Sequence, residues 1–110
     1  KMVTAVAGLE SGNITLTEAD VIESFKIPSY DMGLSTWQGV KVYGNRAFFV
    51  WGTNSTTRGV EVYNLVTKKR DSFIPLNDIM LGEPEDCEIV GNSLLVVDVS
   101  AKDAMLLSIL

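Results

Sequence analysis

Histidine is absent from this 110-residue chain, and cysteine occurs once, at Cys87. Without histidine there is no Ser–His or Cys–His catalytic pair and no imidazole to ligate a metal. One cysteine excludes a disulfide within the chain and any multi-thiolate zinc centre. Positive charge is also sparse: nine Lys and Arg stand against 14 Asp and Glu, a formal net charge of -5. A phosphate-gripping surface needs clustered Lys and Arg, so the chain is not read as a nucleic-acid binder. Its one basic run, Lys68-Lys69-Arg70, is read as a solvated hairpin turn. No apolar run approaches the ~20 residues of a membrane span.

What is present points to strands. Hydrophobic residues make up 46% of the chain, too many for a disordered one. Val40 to Tyr43 alternates apolar and polar, Gly44-Asn45 turns, and Arg46 to Trp51 (RAFFVW) is continuously apolar after its first residue. Such a run between polar turns predicts a strand buried on both faces. Val60 to Leu65 alternates again, Val66 to Asp71 is polar and turn-like, and Ser72 to Leu76 is a short strand ended by proline. A second set follows: Cys87 to Val90, a Gly91-Asn92 turn, Leu94 to Asp98, and Met105 to Leu110. Leu94 to Val97 is also expected to be buried on both faces. Leu16 to Phe25 admits an amphipathic helix, with Thr17 as N-cap and Asp20 at N3. The repeat described next favours a strand-turn-strand unit there instead.

A shift of 47 residues pairs Gly44-Asn45 with Gly91-Asn92, Ile27-Pro28 with Ile74-Pro75, and Asp31 with Asp78. It also pairs Val42 with Ile89 and Phe48-Phe49-Val50 with Leu95-Val96-Val97. A fixed period of ~40–50 residues with four strands is the pattern of β-propeller blades. The expected fold is all-β: a propeller fragment of four-stranded antiparallel blades. Residues 1–28 are expected to end one blade, 29–76 to form a whole one and 77–110 to begin the next. Crossings between blades are expected at Ser29 to Gly39 and Asn77 to Asp86.

The pieces GVKVYGNRAFFV, GVEVYNLVTKKRDSFIPL and EPEDCEIVGNSLLVVD resemble the generic blade of bacterial β-propellers. The six- and seven-bladed NHL, gluconolactonase-like and helveticin-like groups are similar. Asn64 stands where the blade pattern usually has Asp. The resemblance implies an extracytoplasmic location and no particular active site. Propellers close with four to eight blades. About two and a third blades therefore imply partners: the remaining blades of a longer chain, other copies, or a companion chain.

Four carboxylates, Glu83, Glu85, Asp86 and Glu88, fall within six residues. Glu83, Glu85 and Asp86 are calcium-ligand candidates by their oxygen chemistry, although EF-hand spacing is absent. The plainer reading makes them caps of the loop leading into a strand. Glu85 and Asp86 are also the first candidates for ligand contact. Their equivalents one repeat earlier are Gln38 and Gly39, just after Trp37. Trp37 beside Gln38 suits a sugar, by stacking and hydrogen bonding; the alternative is that Trp37 packs between blades. The repeated Pro-x-x-Asp at Asp31 and Asp78 is read as a turn held by the aspartate. Cys87 is expected on a strand as a small buried hydrophobe, with no base to make it a nucleophile. No catalytic residue is assigned. The functional expectation is a non-enzymatic binding or scaffold propeller that recognises a glycan, peptide or protein. The alternative is a propeller-type hydrolase or lactonase with most of its site elsewhere.

Overall fold

The computed structural model describes residues 12, 14–25, 34, 36–53, 55–80, 82–99 and 102–109. Among the described residues, seven strands form two antiparallel sheets. The first is a four-stranded meander of β1 (Trp37–Tyr43), β2 (Arg46–Trp51), β3 (Gly59–Asn64) and β4 (Lys69–Pro75). The second is a three-stranded meander of β5 (Pro84–Val90), β6 (Ser93–Asp98) and β7 (Asp103–Ser108). The all-β expectation holds. No helix among the described residues is long and apolar enough to cross a membrane.

The β1–β2 and β5–β6 hairpins turn on Gly44 and Gly91, at φ 60° and 59°. That left-handed backbone is open to glycine without steric cost, and Gly-Asn is a favoured hairpin pair. Each turn is followed by an apolar strand. In β2 every residue after Arg46 is buried, as its sequence predicts. Its two faces feed two separate cores. Phe48 and Val50 join Val60, Val62, Cys87, Leu94 and Val96 between the sheets. Ala47, Phe49 and Trp51 join Leu34 and Tyr63 on the opposite face. That face receives Phe25, stacked on Tyr63 at 5.4 Å between centroids.

β3 departs from its alternating sequence. Gly59 to Tyr63 are all buried, including Glu61 at 0% exposure. The carboxylate survives there because both oxygens are occupied. Trp51 Nε1 donates to Oε1 at 3.2 Å, and Arg70 Nε donates to Oε2 at 2.8 Å. A buried charge needs such pairing to be tolerated. The basic run is therefore not one solvated turn. Lys68 lies in the turn at φ 61°, while β4 begins at Lys69 and sends Arg70 to Glu61.

β6 departs the other way. Leu94 and Val96 are buried while Val97 is exposed, so the strand alternates instead of being covered twice. The first sheet covers one of its faces. The other carries exposed Val97 and Leu106.

Leu16 to Phe25 contains no strand. Residues 14–25 are extended or irregular around a single 3-10 turn, Glu18–Asp20. Thr17 is its N-cap, and the Asp20 carboxylate accepts the Thr17 N–H at 2.9 Å. The capping signal of the helical reading is real but governs one turn. Val21 leaves the helical region at φ -73°, ψ 115°. The expected strand content of residues 1–11, the Ile27-Pro28 pair and Asp31 lie outside the described residues. Asp78 lies in a turn as expected, yet the side-chain bonds there come from Asn77. Asn77 Oδ1 accepts the Arg58 N–H at 2.7 Å, and its amide donates to the Thr56 carbonyl.

The crossing from β4 to β5 is clamped at one peptide unit. Arg58 Nη1 donates to the Gly82 carbonyl at 3.1 Å, and the Gly82 N–H donates to Asp98 Oδ2 at 2.9 Å. Arg58 and Asp98 are both buried.

Arg70 is the charged partner of the buried Glu61 carboxylate, which also accepts from Trp51. Arg70→Ala is expected to cost about 1–3 kcal/mol, because the buried Glu61 carboxylate loses its charged hydrogen-bond partner. The double variant Arg70→Ala/Glu61→Leu is expected to recover part of it. Urea unfolding of the three proteins measures both numbers.

Candidate functional site

The structure gathers the sequence candidates at the starts of β1 and β5. These two strands lie side by side without pairing in a ladder. They run in the same direction, since Lys41 Nζ meets Glu88 Oε2 at 2.8 Å and Gly39 faces Asp86. A Cβ on Gly39 would stand 2.9 Å from both Asp86 Oδ1 and the Glu85 carbonyl. The absence of a side chain at 39 is therefore what lets the strands approach.

Each strand carries a bulge near its start. In β1 the register passes from Trp37↔Trp51 to Gly39↔Val50, leaving Gln38 as the extra residue. In β5 it passes from Pro84↔Asp98 to Asp86↔Val97, leaving Glu85 as the extra residue. A bulge releases one residue from the ladder and re-aims its side chain. Gln38 Nε2 donates to Glu83 Oε1 at 2.6 Å and to the Gly52 carbonyl at 3.1 Å. Gln38 thus links the first sheet to the segment entering the second.

Trp37 sits beside this link. It is 49% exposed, stacks on Trp51 at 5.4 Å and meets Phe49 edge-on at 4.8 Å. Its Nε1 donates to the Gly39 carbonyl at 3.2 Å. The ring is fixed from behind, with half its surface in solvent.

Glu85 and Asp86 belong to β5, not to a loop before it, and β1 likewise starts at Trp37. Asp86 is exposed and accepts the Cys87 N–H at 2.8 Å. Among the described residues no three His, Cys, Asp or Glu converge to hold a metal. Glu83 is engaged by Gln38, and Glu85 and Asp86 are successive strand residues. The calcium expectation for Glu83, Glu85 and Asp86 thus receives no geometric support. Asp86, Glu88, Leu95 and Val97 frame a shallow pocket of about 130 Å³ over Cys87.

Charge at this seam acts on three groups. The hydrogen bond between Lys41 and Glu88 raises the lysine and lowers the carboxyl relative to their ordinary values. Burial, and then the carboxylates of Asp86 and Glu88, push the Cys87 thiol up to about 11. Its Sγ lies 3.9 Å from the Phe48 carbonyl of the other sheet. Cys87 is a protonated core residue, as its sequence context predicts. Sequence reading missed the bulges, and with them the Gln38–Glu83 contact. Pro84, which has no N–H to give the ladder, was the available signal.

Gly39→Ala is expected to part β1 from β5 and lower stability by about 1–3 kcal/mol, measured by denaturant unfolding. Cys87 gives a pH dependence. Between the ordinary thiol value of 9.0 and about 11, the unfolded chain loses this proton and the folded chain keeps it. Its contribution is complete below pH 9 and falls as pH rises toward 11, with a slope of at most about 1.4 kcal/mol per pH unit. Comparing the pH profiles of wild type and Cys87→Ala by thermal unfolding isolates this component.

No family model matches the chain, and no curated protein and no solved structure matches it either.

Proposed function

We propose that the chain is part of an extracytoplasmic β-propeller that binds a ligand without converting it, and that the ligand is a carbohydrate held at the β1–β5 rim. The carrying observation is Trp37, half exposed on a Trp51 backing, beside the Gln38–Glu83 link. A rigid aromatic face suits the C–H face of a sugar ring. The neighbouring amide and the Glu85 and Asp86 carboxylates suit its hydroxyls.

Several features support the propeller part of this reading. Trp37 and Pro84 open their strands 47 residues apart, as do Arg46 and Ser93. The two hairpins share a glycine at the turn and a bulge at the start. A fourth strand beside β7 and further sheets on the open faces would complete the blades, supplied by a longer chain, other copies or a companion. The location rests on the resemblance to bacterial propeller blades. A hydrolase or lactonase reading has no observation in its favour among the described residues.

Titration with neutral oligosaccharides, followed by tryptophan fluorescence, tests the proposal. Trp37 is expected to report binding, because Trp51 is buried. Trp37→Ala is expected to weaken affinity by about tenfold or more, the value of one aromatic stack of about 1.5 kcal/mol. If oligosaccharides leave the fluorescence unchanged while an extended peptide library binds at the same rim, the carbohydrate assignment is wrong.

A further inference from the structure

At the far end of the sheets from Trp37, the interior opens into a wedge-shaped cleft of about 800 Å³. The sheets approach each other where β1 and β2 meet β5, and the cleft extends from the hairpin ends toward β4 and β7. Its floor is core that has come to the surface: Phe48, Val62 and Ile74 on one side, Ile89, Leu107 and Ile109 on the other. A volume of this size lies in the range of small-molecule sites, which combine an apolar body with a few fixed polar groups.

The fixed polar group is Arg46. Its Nε donates to Asp71 Oδ2 at 2.7 Å. Asn64 Nδ2 donates to the same oxygen at 3.3 Å, and Asn64 Oδ1 accepts the N–H groups of Val66 and Thr67 in the β3–β4 turn. The turn therefore holds Asn64, Asn64 and Arg46 share Asp71, and the guanidinium is oriented at the mouth of the cleft. Among the described residues, only Nε of Arg46 is engaged in a hydrogen bond, which leaves the Nη donors to a ligand. Tyr43, Ser72 and Ser108 add hydroxyl donors around the mouth. Among the described residues, the one anionic side chain lining the cleft, Asp71, is already shared by Arg46 and Asn64.

We infer that the cleft binds an amphipathic monocarboxylate: an aliphatic chain in the wedge, with its carboxylate on the Nη edge of Arg46. Branched aliphatic residues dominate the floor, which suits a flexible alkyl chain. The donors at the mouth suit an anionic head more than a cationic one. This site shares no residue with the β1–β5 rim and stands or falls independently of the carbohydrate proposal.

The test is calorimetric titration with decanoate below its micelle concentration, in parallel with decanol and decylamine. Decanoate is expected to bind at one saturable site, with Ile89, Leu107 and Ile109 signals shifting in NMR spectra. Decanol and decylamine are expected to bind at least about tenfold more weakly, the scale of one charge-assisted hydrogen bond. Arg46→Gln, at an exposed position, is expected to keep the wild-type melting temperature and reduce decanoate affinity to that of decanol. Leu107→Trp, which fills the wedge, is expected to abolish binding of all three. The inference is overturned if decanoate does not bind, if decanol or decylamine binds equally well, or if Arg46→Gln leaves decanoate affinity unchanged.

Discussion

β2 is apolar on both faces, and most of the architecture follows from covering it twice. A strand with Phe48 and Val50 on one side and Ala47, Phe49 and Trp51 on the other has no face to leave in water. The second sheet supplies one cover through Leu94 and Val96. Among the described residues, the other cover comes from Leu34 and the ring of Phe25 on Tyr63. β3, hydrogen-bonded to β2 along its length, is drawn into the same double burial. Glu61 is the cost of that position, and its ion pair with Arg70 across the β3–β4 hairpin is what makes the position tolerable.

The strand pattern was legible because it rests on local chemistry. Gly44-Asn45 and Gly91-Asn92 announce hairpins by backbone conformation alone, and RAFFVW announces double burial by composition alone. The errors fall where neighbours in space decide. The alternation of Val60 to Leu65 is that of a half-exposed strand, and only the partners Trp51 and Arg70 explain a carboxylate inside. Leu94 to Val97 looks like RAFFVW in sequence, but among the described residues one sheet packs on it and Val97 is exposed. Thr17 and Asp20 form the capping contact their spacing suggests, yet no helix grows from it. None of Glu18 to Asp20 is buried, and helices of this size draw their stability from packing.

For the candidate site, residue identity was legible and arrangement was not. Trp37, Gln38, Glu85 and Asp86 do lie at the starts of two neighbouring strands. Their functional character comes from two bulges and from the missing side chain at Gly39. Both are properties of pairing and close approach, which composition does not encode. The Arg46 cleft was invisible for a related reason. Arg46 in sequence is merely the polar end of an apolar strand. Its orientation depends on Asp71 of β4 and on a turn beyond it.

The Gly82 peptide, gripped at its carbonyl by Arg58 and at its N–H by Asp98, has a mechanical meaning. A polypeptide crossing between two sheets ordinarily acts as a tether, whose slack lets the bodies rock. Here the crossing is riveted midway to both sheets, through the segment entering β3 and the last residue of β6. Tension on one sheet then passes to the other through side-chain hydrogen bonds and not through chain slack. That fastening acts beside the shared core and the Lys41–Glu88 pair, so the two sheets are joined at both the seam and the crossing.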